Sequence, residues 1–172
     1  MEGPQRRSEI LKILESADSS VSASRLAKQL KVSRQIIVGD VALLRAAGQE
    51  IVATARGYLL ENRQAKSGII TKIACQHSPE ETEEELLSIV ELGGEIIDVI
   101  VEHPIYGELT GNLRISTKED VDKFMRSYKE SNAGLLSALT EGIHLHTIRC
   151  DNQQTLDKIK NVLSQKGILY QD

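Results

Sequence analysis

The chain has 172 residues, of which 40% are apolar, 27% charged and 3% aromatic, and it contains no tryptophan. This composition supports a globular core and excludes the disordered and fibrous classes. With no run of about 18 uncharged apolar residues and no secretory leader, it predicts a cytoplasmic protein without a membrane partner.

Net charge is −4 and unevenly spread: residues 1–62 carry 9 Lys and Arg against 7 Asp and Glu, residues 63–172 carry 12 against 18. The two parts are therefore expected to meet different partners. Taken in chain order, Ile10, Ile13, Leu14 and Ala17 fall at the one-faced spacing of an amphipathic helix over residues 6–17. Ser22 is a plausible N-cap for a short helix buried through Ala23, Leu26, Ala27 and Leu30, which breaks at Lys31-Val32. Ser33 caps a third helix, with Ile37, Val41 and Leu44 inward and Gly48 at its end. Ile51–Thr54 and Tyr58–Leu60 then read as two short strands around the turn Ala55-Arg56-Gly57.

The stretch SASRLAKQLKVSRQIIVGDVALLRAAG followed by ARGYLL resembles the winged helix-turn-helix of bacterial regulators over about sixty residues. In that frame the start of the third helix reaches base edges. Ser33 opens it, Arg34 suits guanine, Gln35 suits adenine, and outward Ile36, Val38 and Gly39 suit thymine methyls. Arg25, Lys28, Lys31 and Arg45 would hold phosphates, and Arg56 at the wing tip would enter the minor groove. The competing reading is a winged fold that packs proteins, since a net of +2 is a weak electrostatic signal.

A polar boundary at residues 61–68 separates this domain, 1–62, from a second one, 66–172. The second predicts strands at 69–75, 95–103, 106–115 and 143–150 and a short one at 167–170, with helices at 79–92, 117–128 and 153–165. Ser78-Pro79-Glu80-Glu81 and Ser116-Thr117-Lys118-Glu119 both spell a capping box. The β-α-β-β-α-β order predicts an α+β domain, an α/β-sandwich-like mixed sheet with helices on one face and the other face free for a second copy or a ligand.

All four histidines lie here, at positions 77, 103, 144 and 146. His144-Leu145-His146 on a strand puts two imidazoles on one face, where they can share a metal. His77 precedes a helix rich in acids, Glu80, Glu81, Glu83, Glu84 and Glu85, any of which offers a carboxylate. By parity Cys75 and Cys150 can join the same faces, so a cysteine-containing site is an alternative. The plainer readings are satisfied polar residues on a strand and the solvated first turn of a helix. His103-Pro104-Ile105-Tyr106-Gly107 marks a strand-to-strand turn whose histidine either bonds backbone or, with Tyr106, meets a ligand.

The elements CQHSPEETEEEL, VEHPIYGEL and EGIHLHTI, behind a winged helix, resemble the 3H domain of bacterial nicotinate-responsive repressors over nearly the whole chain. That resemblance implies metal ligands at His77, Glu85, His144 and His146, a donor set that suits one divalent transition metal per chain, Ni or Zn; beside such a site the functional reading of the turn has His103 and Tyr106 bond the carboxylate or pyridine nitrogen of a ligand. It also implies a homodimer on palindromic operator DNA, with nicotinic acid as co-repressor of NAD-biosynthesis or niacin-uptake genes. A metal-responsive regulator, or a metal-dependent hydrolase fused to a DNA-binding domain, are the alternatives; no dedicated general base is evident, and no enzymatic activity is expected.

Overall fold

The computed structural model describes residues 1–61, 67–131 and 133–171. It divides the chain into two compact units, Met1–Ala65 and Lys66–Asp172. Most of the polar boundary read at 61–68 lies outside the described residues.

In the first unit α1 spans Gly3–Ser16, α2 Ala23–Leu30 and α3 Arg34–Ala46. α1 begins three residues earlier than its apolar period indicates, because Pro4 in the first turn is pre-set for helix and needs no amide partner there. Both predicted caps form: the Ser22 hydroxyl accepts from Arg25 N at 3.1 Å and that of Ser33 from Ile36 N at 3.2 Å. Each is worth about 1 kcal/mol. Between them Lys31 turns left-handed and ends α2. Ile10, Leu14, Leu26, Ile37, Val41, Leu44 and Ile51 close the core.

The strands β1, Ile51–Thr54, and β2, Gly57–Leu60, pair antiparallel around Ala55-Arg56. Val21 adds a bridge to Tyr58, so the wing is anchored to the chain just before α2. Gly57 makes that anchoring possible: at φ +135°, a Cβ would lie 2.5 Å from the Val21 carbonyl group.

The second unit holds β3 (Ile69–Gln76), α4 (Thr82–Glu91), β4 (Glu95–His103), β5 (Gly107–Ile115), α5 (Lys118–Glu130), β6 (Ile143–Cys150) and α6 (Gln153–Gln165). The α+β class holds, but the expected mixed sheet is antiparallel in every ladder, with order β3-β6-β4-β5. β3 and β4, joined through α4, run the same way, yet β6 inserts between them and opposes both. The parallel pair that a β-α-β order suggests is thus split. The short strand expected at 167–170 reduces to one bridge, Cys75 to Leu169, flanked by Tyr170 N on the Ala74 carbonyl and Gln76 N on the Ile168 carbonyl.

Two helix starts also differ in detail. Pro79–Glu81 forms a 3-10 turn before α4, with Glu81 accepting from Ser78 N as the box requires. For α5 the box sits one residue later than its spelling: Thr117 is the cap and Asp120 its reciprocal acceptor. Aspartate at the third position reaches back as glutamate would.

Side chains from α4, α5 and α6 pack on one face of the sheet, with Leu86, Ile89, Val121, Leu156, Ile159 and Leu163 meeting Ile73, Ile96, Ile115 and Ile148. Each fully buried aliphatic chain contributes about 1.5–3 kcal/mol as an upper figure. On the sheet's other face Ile70 and Ile143 are exposed. β6 alternates strictly, burying His144, His146, Ile148 and Cys150, so the core is also where the imidazoles point.

Candidate functional site

Glu85 is 1% exposed and stands one helical turn beyond the start of α4, facing the sheet. Three imidazoles converge on its carboxylate. His77 Nε2 lies 2.7 Å from Oε2, His144 Nε2 2.9 Å from the same oxygen, and His146 Nε2 2.8 Å from Oε1. The rings of His77 and His144, and of His144 and His146, meet edge to face at 4.9 and 4.7 Å. Strand β6 supplies two of these groups by its two-residue period, and the residue after β3 supplies the third.

The other nitrogen of each ring is fixed by a backbone carbonyl. Nδ1 of His77 donates to Ser78 O at 2.7 Å, that of His144 to Gly142 O at 2.8 Å and that of His146 to Asp98 O at 2.8 Å. The last bond depends on a bulge in β4 between Ile96 and Asp98, which also lets Asp98 Oδ1 accept from Thr147 N. With every Nδ1 carrying its proton, a neutral ring presents a bare Nε2 to the carboxylate. Lone pairs facing lone pairs at under 3 Å demand positive charge between them. Protons meet that demand only by making three imidazoliums around one carboxylate, which leaves excess charge in a dry core. A divalent cation meets it with the rings neutral, and donors about 2.0–2.1 Å from one ion stand about 3 Å apart at adjacent octahedral positions. The residues fit a metal.

Burial opposes the charged forms of His77 and His146, but the Glu85 carboxylate more than offsets it, and both pKa values lie above the ordinary value. Burial likewise pushes Glu85 up, and the His146 charge with bonds from His144, His146 and His77 overrides it, holding the carboxyl well below its ordinary range. Cys75 faces the same cluster from β3, directly across from His144. Cys75, Glu85 and His144 have donor atoms within 4.8 Å of one another, a group that can hold a metal ion. Burial, then the Glu85 charge, push the Cys75 thiol far up, which keeps it protonated. Cys150 is buried too, but its thiol turns to Asn152 O.

A cavity of about 460 Å³ opens beside His77, lined by Gln76, His77, Ser78, Pro79, Ser137, Ala138, Glu141 and Gly142. The 3-10 turn Leu136–Thr140, too short to show an apolar period in the sequence, supplies Ser137 and Ala138 to its wall. Gly142 joins cavity and cluster: at φ +90° a Cβ would sit 2.4 Å from the His77 carbonyl oxygen, and its own carbonyl orients His144. His103 and Tyr106 lie elsewhere, at the β4–β5 hairpin tip. His103 Nδ1 accepts from Ile105 N and Tyr106 N at 3.2 and 3.4 Å, and Tyr106 is 71% exposed. The tip shares the end of the sheet at which β6 begins and β3 finishes, but neither residue is in the cavity wall.

In the first unit Ser33, Arg34, Gln35 and Arg45 are exposed on α3, with Val38 and Arg56 half-buried. One residue escaped the sequence reading. Asp40, 4% exposed, turns into the unit, where Arg6 and Arg7 of α1 bond its carboxylate. Its place on the apolar side of α3, between Ile37 and Val41, was the available signal.

Together the elements define a two-part DNA-binding regulator, a winged helix-turn-helix unit and a sheet unit built around a buried histidine and carboxylate cluster. Residues 6–59 match the family described as HTH domain, and residues 70–172 match the 3H domain. "Probable transcription repressor NiaR" of Thermotoga maritima is 45% identical over 168 residues, covering 98% of this chain and 95% of that protein. "Transcription repressor NadR" of Bacillus subtilis is 40% identical over 172 residues, covering 99% and 96%. The chain belongs to this family of HTH and 3H transcription repressors. No helix among the described residues is long and apolar enough to cross a membrane.

Proposed function

We propose that the chain represses genes of NAD biosynthesis or niacin uptake, with nicotinic acid as co-repressor and one divalent metal, Ni or Zn, held by His77, Glu85, His144 and His146. The observation that carries this reading is the convergence of three Nε2 atoms on one buried carboxylate beside a cavity of about 460 Å³. Residues 1–62 would read a palindromic operator, with Ser33, Arg34, Gln35 and Val38 toward base edges and Arg45 and Arg56 toward phosphates or the minor groove. Residues 66–172 would bind metal and ligand and form the homodimer through the sheet face that no helix covers, where Ile70 and Ile143 are exposed at opposite ends of the β3–β6 ladder. Action would be cytoplasmic.

The metal, when bound, supplies a Lewis-acidic centre for a carboxylate or a pyridine nitrogen. This chain's own residues do the rest. Gln76, Ser78 and Ser137 are the uncharged polar residues of the cavity lining that could meet a small anion, with Glu141 the acid in the same wall, and His103 and Tyr106 stand at the same end of the sheet. Nicotinate can favour DNA binding only by binding one arrangement of the dimer better than the other, a coupling of about 1–3 kcal/mol. Calorimetry of nicotinate against nickel-loaded and chelated protein tests the reading, paired with a gel shift on promoter fragments. Binding that needs the metal and a gel shift that needs nicotinate are expected. Equal affinity with and without metal would remove the metal's role; metal-dependent DNA binding indifferent to nicotinate would favour a metal-responsive regulator.

A further inference from the structure

Gly39 sits in the middle of α3 and the fold gives no reason for it. Its backbone is ordinary right-handed helix, and a Cβ built on it would meet nothing within 4 Å. Glycine is the poorest helix former after proline, so at an exposed interior position alanine is favoured by the fold alone. What glycine offers instead is close approach of another body to the helix backbone.

The charge pattern of α3 says what that body is. A solvated helix face ordinarily carries charges, yet between Arg34 and Arg45 the exposed side chains of α3 carry none. Its one acid, Asp40, adjoins Gly39 in sequence but is buried and held by Arg6 and Arg7. An uncharged middle flanked by a cation at each end is the arrangement a helix needs to lie in a groove: neutral toward base edges, positive toward the phosphates on either side.

We propose that Gly39 is a close-approach position of the helix-turn-helix, whose missing side chain lets the backbone of α3 lie directly against base-pair edges in the major groove of duplex DNA. The inference rests on the assignment of α3 as the DNA-reading helix. A side chain at position 39 acts by volume, lifting the helix from the groove floor and weakening every contact that Arg34 and Gln35 make beside it.

The test uses the full chain. Duplexes are selected from a random library with the wild-type protein, and the enriched duplex is titrated with wild type, Gly39→Ala and Gly39→Leu at fixed salt. Expected are a melting temperature for Gly39→Ala higher by about 2–6 °C, an affinity at least about tenfold weaker, and a larger loss for Gly39→Leu. A variant that is stabilised and loses DNA separates contact from folding. Undiminished binding by both variants overturns the proposal while leaving the DNA-reading assignment standing. No enrichment by the wild type overturns both.

Discussion

Asp40 and Glu85 are the most deeply buried carboxylates of their respective units, and the chain answers them in different ways. Asp40 receives two arginines from α1, with one side chain 15% and the other 28% exposed, so the charge is balanced by the unit's own residues and partly by water. Glu85 receives three imidazoles, each under 4% exposed in its side chain and each already tied by Nδ1 to a carbonyl. The first arrangement is complete as it stands and serves to hold α1 against α3. The second has no permanent cation among its partners, only titratable bases. A buried carboxylate is therefore informative through its partners: permanent cations mark structure, titratable bases mark a site.

Removing each carboxylate should break this contrast most sharply. Glu85→Gln is expected to lower nickel affinity by more than about 100-fold, so that metal retained through dialysis, measured by elemental analysis, falls to near zero. Asp40→Asn should leave that retention unchanged and lower the stability of the first unit by about 1–3 kcal/mol, read by urea denaturation. Retention of nickel by Glu85→Gln would show that the three imidazoles bind it unaided and that the carboxylate is incidental.

A smaller effect follows from pH in the chelated protein. His77 and His146 have raised pKa values when folded, so their stabilising contribution is fully present below the ordinary value of about 6.5 and is lost as pH rises through the raised values. Glu85 is depressed, so its contribution is present above about 4.5 and is lost as pH falls through the lowered value. The melting-temperature difference between wild type and Glu85→Gln should therefore be greatest between about pH 4.5 and 6.5. Nickel competes with protons for the same Nε2 atoms, so its own stabilisation should grow above that window. A difference that stays flat from pH 4 to 9 would mean that the cluster does not exchange protons on unfolding.

Much of the fold is written locally. Ser22 and Ser33 cap the helices their spacing announces, and His144 and His146 share a face because a strand has a period of two. Residue pattern alone leaves open which of five acids meets the histidines: Glu80 and Glu81 fall in the 3-10 turn, where Glu81 closes the capping box, and Glu83 and Glu84 differ from Glu85 only in which way α4 turns them. Resemblance points to Glu85, and it is the acid that packing brings to the three imidazoles. The insertion of β6 between β3 and β4 is a long-range pairing with no local mark, and the bulge at Ile96 to Asp98 has none either. The wall formed by Leu136–Thr140 was invisible for a like reason: a single 3-10 turn shows no apolar period. The Pro and Gly beside His103 mark a turn in the sequence, but only coordinates reveal that its Nδ1 is engaged by Ile105 N and Tyr106 N.

The wedge of backbone at Gly142 has a practical corollary. The same peptide lines the hollow beside His77 and orients the His144 ring, so a guest settling there presses on an imidazole without touching it. With a coloured ion such as cobalt in place, occupancy would register as a change in visible absorption, giving an optical titration that needs neither promoter nor labelled compound.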